Sequence, residues 1–304
     1  MKLGLLTVPF ADASLTTVAD WSAAQGFEVL ELACWPAAGG QMRRYAGTCH
    51  VDVATLDRSR ADDIMAALVA KGLAVSGLGY YPNPLHPDLA QRQQVIAHLK
   101  QVIVAAGLMK VAVVNTFMGG NSGASVDQNW AEAMTVFPDI VAFAQDHGVT
   151  LAFENCPMIF SQNEWPGGHN IAYAPKIWRR IFDTFGTTVG MNFDPSHLVW
   201  QMIDQTRFIA EFGSRFVHVH AKDLMIDRDG LYENGTLSLG IGWQIPRMPG
   251  LGDINWAAFF SALYHVGYDG PVIIEHEDRI FEGTPEKIKR GFLLARDVLR
   301  PFIK

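Results

Sequence analysis

The sequence predicts an α/β protein of the (β/α)8 TIM-barrel class, folded as a single domain over residues 1–304. Three observations predict it. Short runs rich in Val, Ile, Leu and Phe alternate, eight times, with longer stretches that carry apolar residues at spacings of three and four. That alternation is what parallel strands joined by helical crossovers require. Glycines stand where a helix should stop and the next strand begin, as C-terminal helix caps do. The polar residues crowd the far ends of the apolar runs, which is the end where barrels of this kind build their sites.

Taken in order, Lys2–Phe10 is the first strand and Ser14–Gln25 the first helix. Phe27–Trp35 follows Gly26, and its helix is Ala61–Lys71. Leu73–Tyr81 follows Gly72, with a helix over Asp88–Ala106; Met109–Phe117 follows Gly107, with a helix over Gln128–His147. Val149–Asn155 follows Gly148 and leads to Ala174–Phe185; Thr187–Asp194 follows Gly186 and leads to a short helix at Phe208–Phe212. Phe216–Asp223 precedes Trp256–Val266, and Pro271–Asp278, after Gly267, precedes Pro285–Ile303. A doubly wound open sheet is the competing fold, but its first turn is usually glycine-rich and TVPFADAS contains no glycine. Two strand-to-helix connections are long, residues 36–56 and 224–253, and both fall on the face where barrels assemble substrate pockets.

Composition narrows the function classes. With 49% hydrophobic and 18% charged residues the chain can bury a large core and is not disordered. A net charge of −7 argues against a nucleic-acid partner, which would need a basic face. Cys34, Cys49 and Cys156 form no CxxC pattern, which fits a reducing compartment. The N-terminal MKLGLLTVPF is too short an apolar run for a signal peptide, and no run is apolar enough to span a bilayer. A soluble, cytoplasmic enzyme acting on a small molecule, without a membrane partner, is the expectation. A homo-oligomer is compatible with the long 224–253 connection.

The strand ends carry Glu31, Asn115, Glu154 and Asn155, Asn192 and Asp194, His218, His220, Lys222 and Asp223, and Glu275 through Asp278. Residues two apart on a strand share a face. Asn192 with Asp194, His218 with His220, Ala152 with Glu154, and Ile273 with Glu275 and Glu277 therefore point the same way. Glu154, Asp194, His220 and Glu275, from four adjacent strands, would converge near the barrel axis. A mixed carboxylate–imidazole set suits one divalent ion, Mn²⁺ foremost, with Mg²⁺, Co²⁺ or Zn²⁺ as alternatives. Such an ion polarises a carbonyl and stabilises the charge left when a neighbouring carbon loses its proton, while the carboxylates take and return that proton. Any one of these carboxylates alone could equally cap a helix or sit in a structural ion pair. His218, one layer deeper, reads as a core histidine, and Glu31 as a polar residue of the interior.

The motifs FEN at Glu154, NFDPSH at Asp194, HVHAKD at His220, PGLGDINW, and IIEHED at Glu275 resemble the sugar phosphate isomerase/epimerase superfamily. This is the xylose isomerase-like barrel group, which includes D-tagatose and D-allulose 3-epimerases and inosose dehydratase; the resemblance runs along essentially the whole chain. It implies that Glu154, Asp194, His220 and Glu275 ligate the metal, that Glu154 and Glu275 act as the acid/base pair, and that His197 binds a substrate oxygen beside the ion. Ala221-Lys222-Asp223 departs from the Gly-Glu stretch and arginine of the ketose epimerases and is closer to inosose dehydratase, which makes Lys222 a further catalytic candidate. Asn115, Tyr81, His50, Trp165 and Arg247 are candidate substrate contacts, with Tyr80, His169 and Trp243 as further pocket residues. The resemblance thus implies a metal-dependent isomerase or epimerase of a sugar or keto-sugar, and the dispersed basic residues, which mark no phosphate site, favour an unphosphorylated one. The alternatives are a dehydratase or lyase on an inosose or 3-keto sugar, an endonuclease IV-like phosphodiesterase, and a barrel that only binds carbohydrate.

Overall fold

The computed structural model describes residues 1–37, 46–158, 168–236 and 242–303. Eight parallel strands close into a barrel: β1 (Lys2–Leu6), β2 (Val29–Ala33), β3 (Ala74–Gly79), β4 (Val113–Thr116), β5 (Thr150–Glu154), β6 (Val189–Phe193), β7 (Phe216–Ala221) and β10 (Pro271–Ile274). Around them run α1 (Leu15–Ala24), α2 (Arg58–Val69), α3 (Leu89–Met109), α4 (Val126–Asp146), α5 (Pro175–Phe185), α7 (Gln205–Phe212), α9 (Trp256–His265) and α10 (Pro285–Leu299). Strand β10 closes the ring by pairing with both β1 and β7.

Local sequence explains the boundaries. The first run stops as a strand at Leu6 because Pro9 cannot donate to a ladder, and Val8–Phe10 turns as a 3-10 helix. Helices open on side-chain caps: Ser14, Asp57, Asp88, Asp204, Asn255 and Thr284 each accept a backbone N–H, and Ser125 with Gln128 forms a full capping box. The Asp204 cap lengthens the helix expected at Phe208–Phe212 to Gln205–Phe212, and a short α6 (Ser196–Trp200) precedes it. Gly107 does not end a helix as expected. It lies inside α3 against the His147 carbonyl, where a Cβ would come within 3.1 Å, and Lys110 takes the left-handed cap at φ 58°.

The 224–253 connection is not the open loop the sequence suggested. It begins a two-stranded antiparallel hairpin of β8 (Asp223–Ile226) and β9 (Gln244–Arg247), with α8 (Arg228–Asn234) between them. Asp223 explains the fold-back: its carboxylate accepts from Leu224 N, Gly250 N, Ile254 N and the Trp256 indole at 2.9–3.1 Å. Residues 38–45 of the other long connection, and Trp165, lie outside the described residues.

The core sits between strands and helices. Phe153 meets Phe137 of α4 edge to face at 5.1 Å, and Phe193 stacks between Phe208 and Phe216 at 5.3 and 4.5 Å. These outward side chains fix the parity of β5 and β6, so Glu154, Ala152 and Asn192 face the axis. Among the described residues no helix is long and apolar enough to cross a membrane.

Candidate metal centre

Each site residue stands at or just beyond the C-terminal end of a strand. Glu154 closes β5, level with Asn192 of β6, and Asn192 is level with His218 of β7. Asp194 follows β6 and is fixed from both sides: its N–H donates to Asn155 Oδ1 at 2.7 Å, and Asn155 Nδ2 donates to its carbonyl at 2.8 Å. Its Oδ1 then accepts from Ser196 N at 2.8 Å, which leaves Oδ2 directed away from the backbone. Glu275 follows β10 and its N–H reaches the Ala221 carbonyl.

Three of the four expected ligands come together. One ligand atom each from Glu154, His220 and Glu275 lie within 4.8 Å of one another. His220 Nδ1 is 3.2 Å from Glu275 Oε2 and 3.8 Å from Glu154 Oε1. Its other nitrogen, Nε2, is 2.7 Å from Glu31 Oε2. Glu31 is placed to accept a hydrogen bond from Nε2–H, and with that proton held there Nδ1 is the nitrogen that would turn to an ion once one replaces the proton it shares with the two glutamates. Glu31 also accepts from the Tyr81 hydroxyl at 2.5 Å. Strand β3 makes room for this: a Cβ on Gly79 would fall 2.6 Å from Glu31 Oε1, and one on Gly77 would fall 2.8 Å from Asn115 Nδ2. Burial pushes the Glu31 carboxyl upward, but the His220 and His218 imidazoles and the Tyr81 bond outweigh it and hold it below the usual range.

Asp194, the fourth expected ligand, is engaged elsewhere. Its Oδ2 is 3.0 Å from Lys222 Nζ and 3.2 Å from His197 Nε2. The contact with Lys222 is close but lacks hydrogen-bond alignment, so this buried oxygen has no well-formed bond. Lys222, almost wholly buried, also lies 2.8 Å from Glu275 Oε2, 3.1 Å from Glu277 Oε2 and 3.3 Å from His197 Nε2. Burial opposes its charge, yet Asp194, Glu275 and Glu277 hold the ammonium well above its ordinary value. Burial likewise works against the ionised Glu154 and Asp194, and the surrounding histidines and Lys222 outweigh it, holding both carboxyls down. Lys222 thus pairs with Asp194, Glu275 and Glu277, whereas the neighbouring Asp223 serves the hairpin.

These residues fit a divalent cation. The donors are carboxylate oxygens and a correctly oriented imidazole, Asp194 Oδ2 is buried with no aligned partner, and an ammonium already sits between Asp194 and Glu275. A second trio, Glu31, His218 and His220, is also close together. His218 is taken up there by Asn192 Oδ1 at 2.9 Å and Ser76 Oγ at 3.0 Å, and it reads as the core histidine the sequence suggested.

The substrate candidates divide. His197 and Tyr81 join the cluster, Tyr81 with its hydroxyl 3.4 Å from His220 Nε2. Asn115 lies inside the barrel, level with Ala152, both side-chain atoms buried and without a hydrogen-bond partner. His50 is tied through both ring nitrogens to Thr7 Oγ1 and the Ala13 carbonyl, and Arg247 through Nε to Asp278 Oδ2 at 2.8 Å. Tyr80 points the other way and packs on His98 of α3 at 4.5 Å. Trp243 is buried beside β9 and His169 follows 159–167, which lies outside the described residues. The sequence placed Glu277 on the face of Glu275 without a role, and it gave no sign of the partnership of Glu31 with His220 or of Cys156, whose sulfur lies within 4.8 Å of ligand atoms of Glu154 and His197. The inward parity of Glu31 and the SGLG of β3 were the available signals. A cavity of about 440 Å³ lies elsewhere, between α1 and α10 beside Val8, Phe10, Trp21, His276 and Ile288; it holds none of this cluster, and the chemistry, not the volume, marks the site.

Residues 19–298 match the xylose isomerase-like TIM barrel family. The uncharacterised protein YfiH of Bacillus subtilis (strain 168) is 26% identical over 301 residues, covering 91% of this chain and 93% of YfiH. Inosose dehydratase of Geobacillus thermodenitrificans (strain NG80-2) is 28% identical over 112 residues, 36% of this chain and 38% of the dehydratase. Among solved structures, D-psicose 3-epimerase with D-tagatose from Clostridium cellulolyticum H10 superposes with a TM-score of 0.69 at 16% identity, each chain covered fully. The IOLI protein with a bound zinc atom does so with a TM-score of 0.72 at 15% identity, again over 100% of both chains. At such identities the likeness to the structures is one of fold.

Proposed function

From a chain that belongs to the xylose isomerase-like TIM barrel family, we propose a divalent-metal-dependent sugar isomerase or epimerase in which Glu154 and Glu275 exchange a proton with the carbon beside a carbonyl. The observation that carries this reading is the trio of Glu154, His220 and Glu275 at the barrel mouth, with His220 oriented from behind by Glu31. Glu154, His220, Glu275 and Asp194 would hold the ion, which when bound polarises the carbonyl and offsets the negative charge that proton loss leaves on the substrate.

The chain's own residues supply the rest. Glu154 and Glu275 come from strands on either side of β6 and β7, so their carboxylates approach a ligand over the barrel mouth from different directions. One removes the proton and the other returns it, each working as general base and then acid. His197, 3.5 Å from Glu154 Oε1, can donate to a substrate hydroxyl. Asn115 offers a buried amide with no internal partner, suited to a second hydroxyl. The buried strand ends exclude bulk water and strengthen each of these interactions.

One observation favours a second reading, a dehydratase acting on an inosose or 3-keto sugar. Lys222 Nζ is 2.8 Å from Glu275 Oε2, a second proton carrier beside the proposed acid/base pair, and in this reading it protonates a departing hydroxyl after Glu275 or Glu154 has taken the proton beside the carbonyl. The similarity to inosose dehydratase points the same way. The two readings separate when Mn²⁺-loaded protein is incubated in D₂O with ketoses, inososes and 3-keto-glycosides. Deuterium gained at the carbon next to the carbonyl without loss of water supports the isomerase or epimerase; a new enone absorbance supports the dehydratase. No deuterium and no enone across the panel would remove both.

A further inference from the structure

Resting on the metal reading above, we propose that Lys222 is a built-in counter-cation. It closes the fourth ligand position by holding Asp194 and Glu275, and an arriving divalent ion displaces it onto Glu277.

The geometry supplies both ends of the movement. Lys222 Nζ now lies 3.0 Å from Asp194 Oδ2 and 2.8 Å from Glu275 Oε2, two of the four carboxylate or imidazole groups expected around the ion. It is also 3.1 Å from Glu277 Oε2, which belongs to no ligand trio among the described residues. The side chains grade outward: Asp194 is 0% exposed, Lys222 3%, Glu275 12% and Glu277 23%. An ammonium leaving Asp194 for Glu277 therefore moves toward solvent without losing every partner.

Electrostatics supplies the reason. Glu154, Asp194, Glu275 and Glu277 converge on this volume from β5, β6 and the segment after β10, and His197 and His220 reach it from α6 and β7. Without an ion, Lys222, together with His197 and His220, supplies the positive charge that keeps those carboxylates together. A dication and an ammonium repel strongly at such distances in a poorly solvated site. Asp194 can complete the ligand set only when the ammonium withdraws. The lysine thus stabilises the empty site and weakens metal binding.

The test is calorimetric titration of Mn²⁺ into chelator-stripped protein, with thermal unfolding of the stripped and loaded forms. Lys222→Met should bind Mn²⁺ at least about tenfold more tightly than wild type. Its stripped form should melt lower, and the difference should shrink on loading. Glu277→Gln, which removes the lysine's destination, should bind Mn²⁺ more weakly. Lys222→Gln is read in the same way if the methionine variant does not fold. Equal or weaker binding by both lysine variants overturns the proposal while leaving the metal centre intact. A wild-type protein that binds no Mn²⁺ at millimolar concentration removes the metal reading itself, and this inference with it.

Discussion

Two layers of polar side chains line the inside of this barrel, and they are satisfied by different means. The deeper layer is a closed hydrogen-bond chain. His218 joins Asn192 to Ser76, Ser76 donates to the Leu30 carbonyl, Asn192 donates to Tyr81, and Tyr81 donates to Glu31, which holds His220. The outer layer is held by charge. Four carboxylates, Glu154, Asp194, Glu275 and Glu277, face Lys222 and His197, and Asp194 Oδ2 has no aligned bond at all. Asp223 sharpens the contrast, since it is equally inaccessible but takes three backbone N–H groups and an indole. A buried carboxylate that serves structure is satisfied by donors that cannot move. One that faces only other titratable side chains keeps its capacity for an ion or a proton.

The sharpest way to break this comparison is to remove the ion. Chelation should take the deuterium-exchange activity below detection, and Mn²⁺ should restore it; activity that survives exhaustive chelation would contradict a metal role for the outer layer. Loading should also raise stability by about 2.7 kcal/mol at a hundredfold excess over Kd, which thermal unfolding of stripped and loaded protein will show.

Next in size are Glu154→Gln and Glu275→Gln. In the proposed mechanism each would remove one proton carrier and one charged ligand, so a drop in exchange rate of about 10³-fold is expected, measured with saturating Mn²⁺ so that weakened metal binding is separated from lost chemistry. A variant within tenfold of wild type would exclude that glutamate as acid or base.

Smaller is Glu31→Gln, which probes the joint between the layers. Glutamine keeps the size that Gly79 accommodates but removes the carboxylate charge 2.7 Å from His220 Nε2. Mn²⁺ affinity should fall about 10–100-fold with secondary structure unchanged, and unchanged affinity would show that His220 needs no such partner.

The sequence made the barrel legible because its signals are periodic and local. Strand parity placed Glu154, Asn192 and His220 on one face, and the outward Phe153 and Phe193 show why: aromatic partners in α4 and α7 lock the alternate residues against the helices. Where the reading went astray, the deciding interaction was distant in sequence. Gly107 was read as a stop, but α3 runs past it to Lys110 because Gly107 packs on His147, in the connection after α4. Residues 224–253 read as a loop because Asp223, which gathers the hairpin, meets its donors about thirty residues later. Nor does spacing reveal that His50 meets Thr7 or that Arg247 meets Asp278. Parity likewise brought Asp194 to the mouth, but it carries no information on which cation its outer oxygen faces, and that proved to be Lys222.

The smallest effect tests the deeper layer alone. Burial, little offset by Glu31, lowers His218 from 6.5 to about 3, so the ring is neutral in the folded protein. The unfolded chain takes up a proton near pH 6.5 that the folded one refuses until about pH 3. Stability from this residue is therefore complete above pH 6.5 and is lost as the pH falls toward 3. His218→Gln lacks the titration but loses hydrogen bonds to Asn192 and Ser76, so it should be less stable at pH 7 by roughly 1–3 kcal/mol. At pH 5 the wild type has given up about 2 kcal/mol of that advantage, and urea unfolding should find the gap narrowed accordingly. The outer-layer groups titrate in both proteins and cancel from the difference. A gap that stays constant between the two pH values would mean that His218 takes up its proton in the fold as readily as in the unfolded chain, and that burial does not keep the ring neutral.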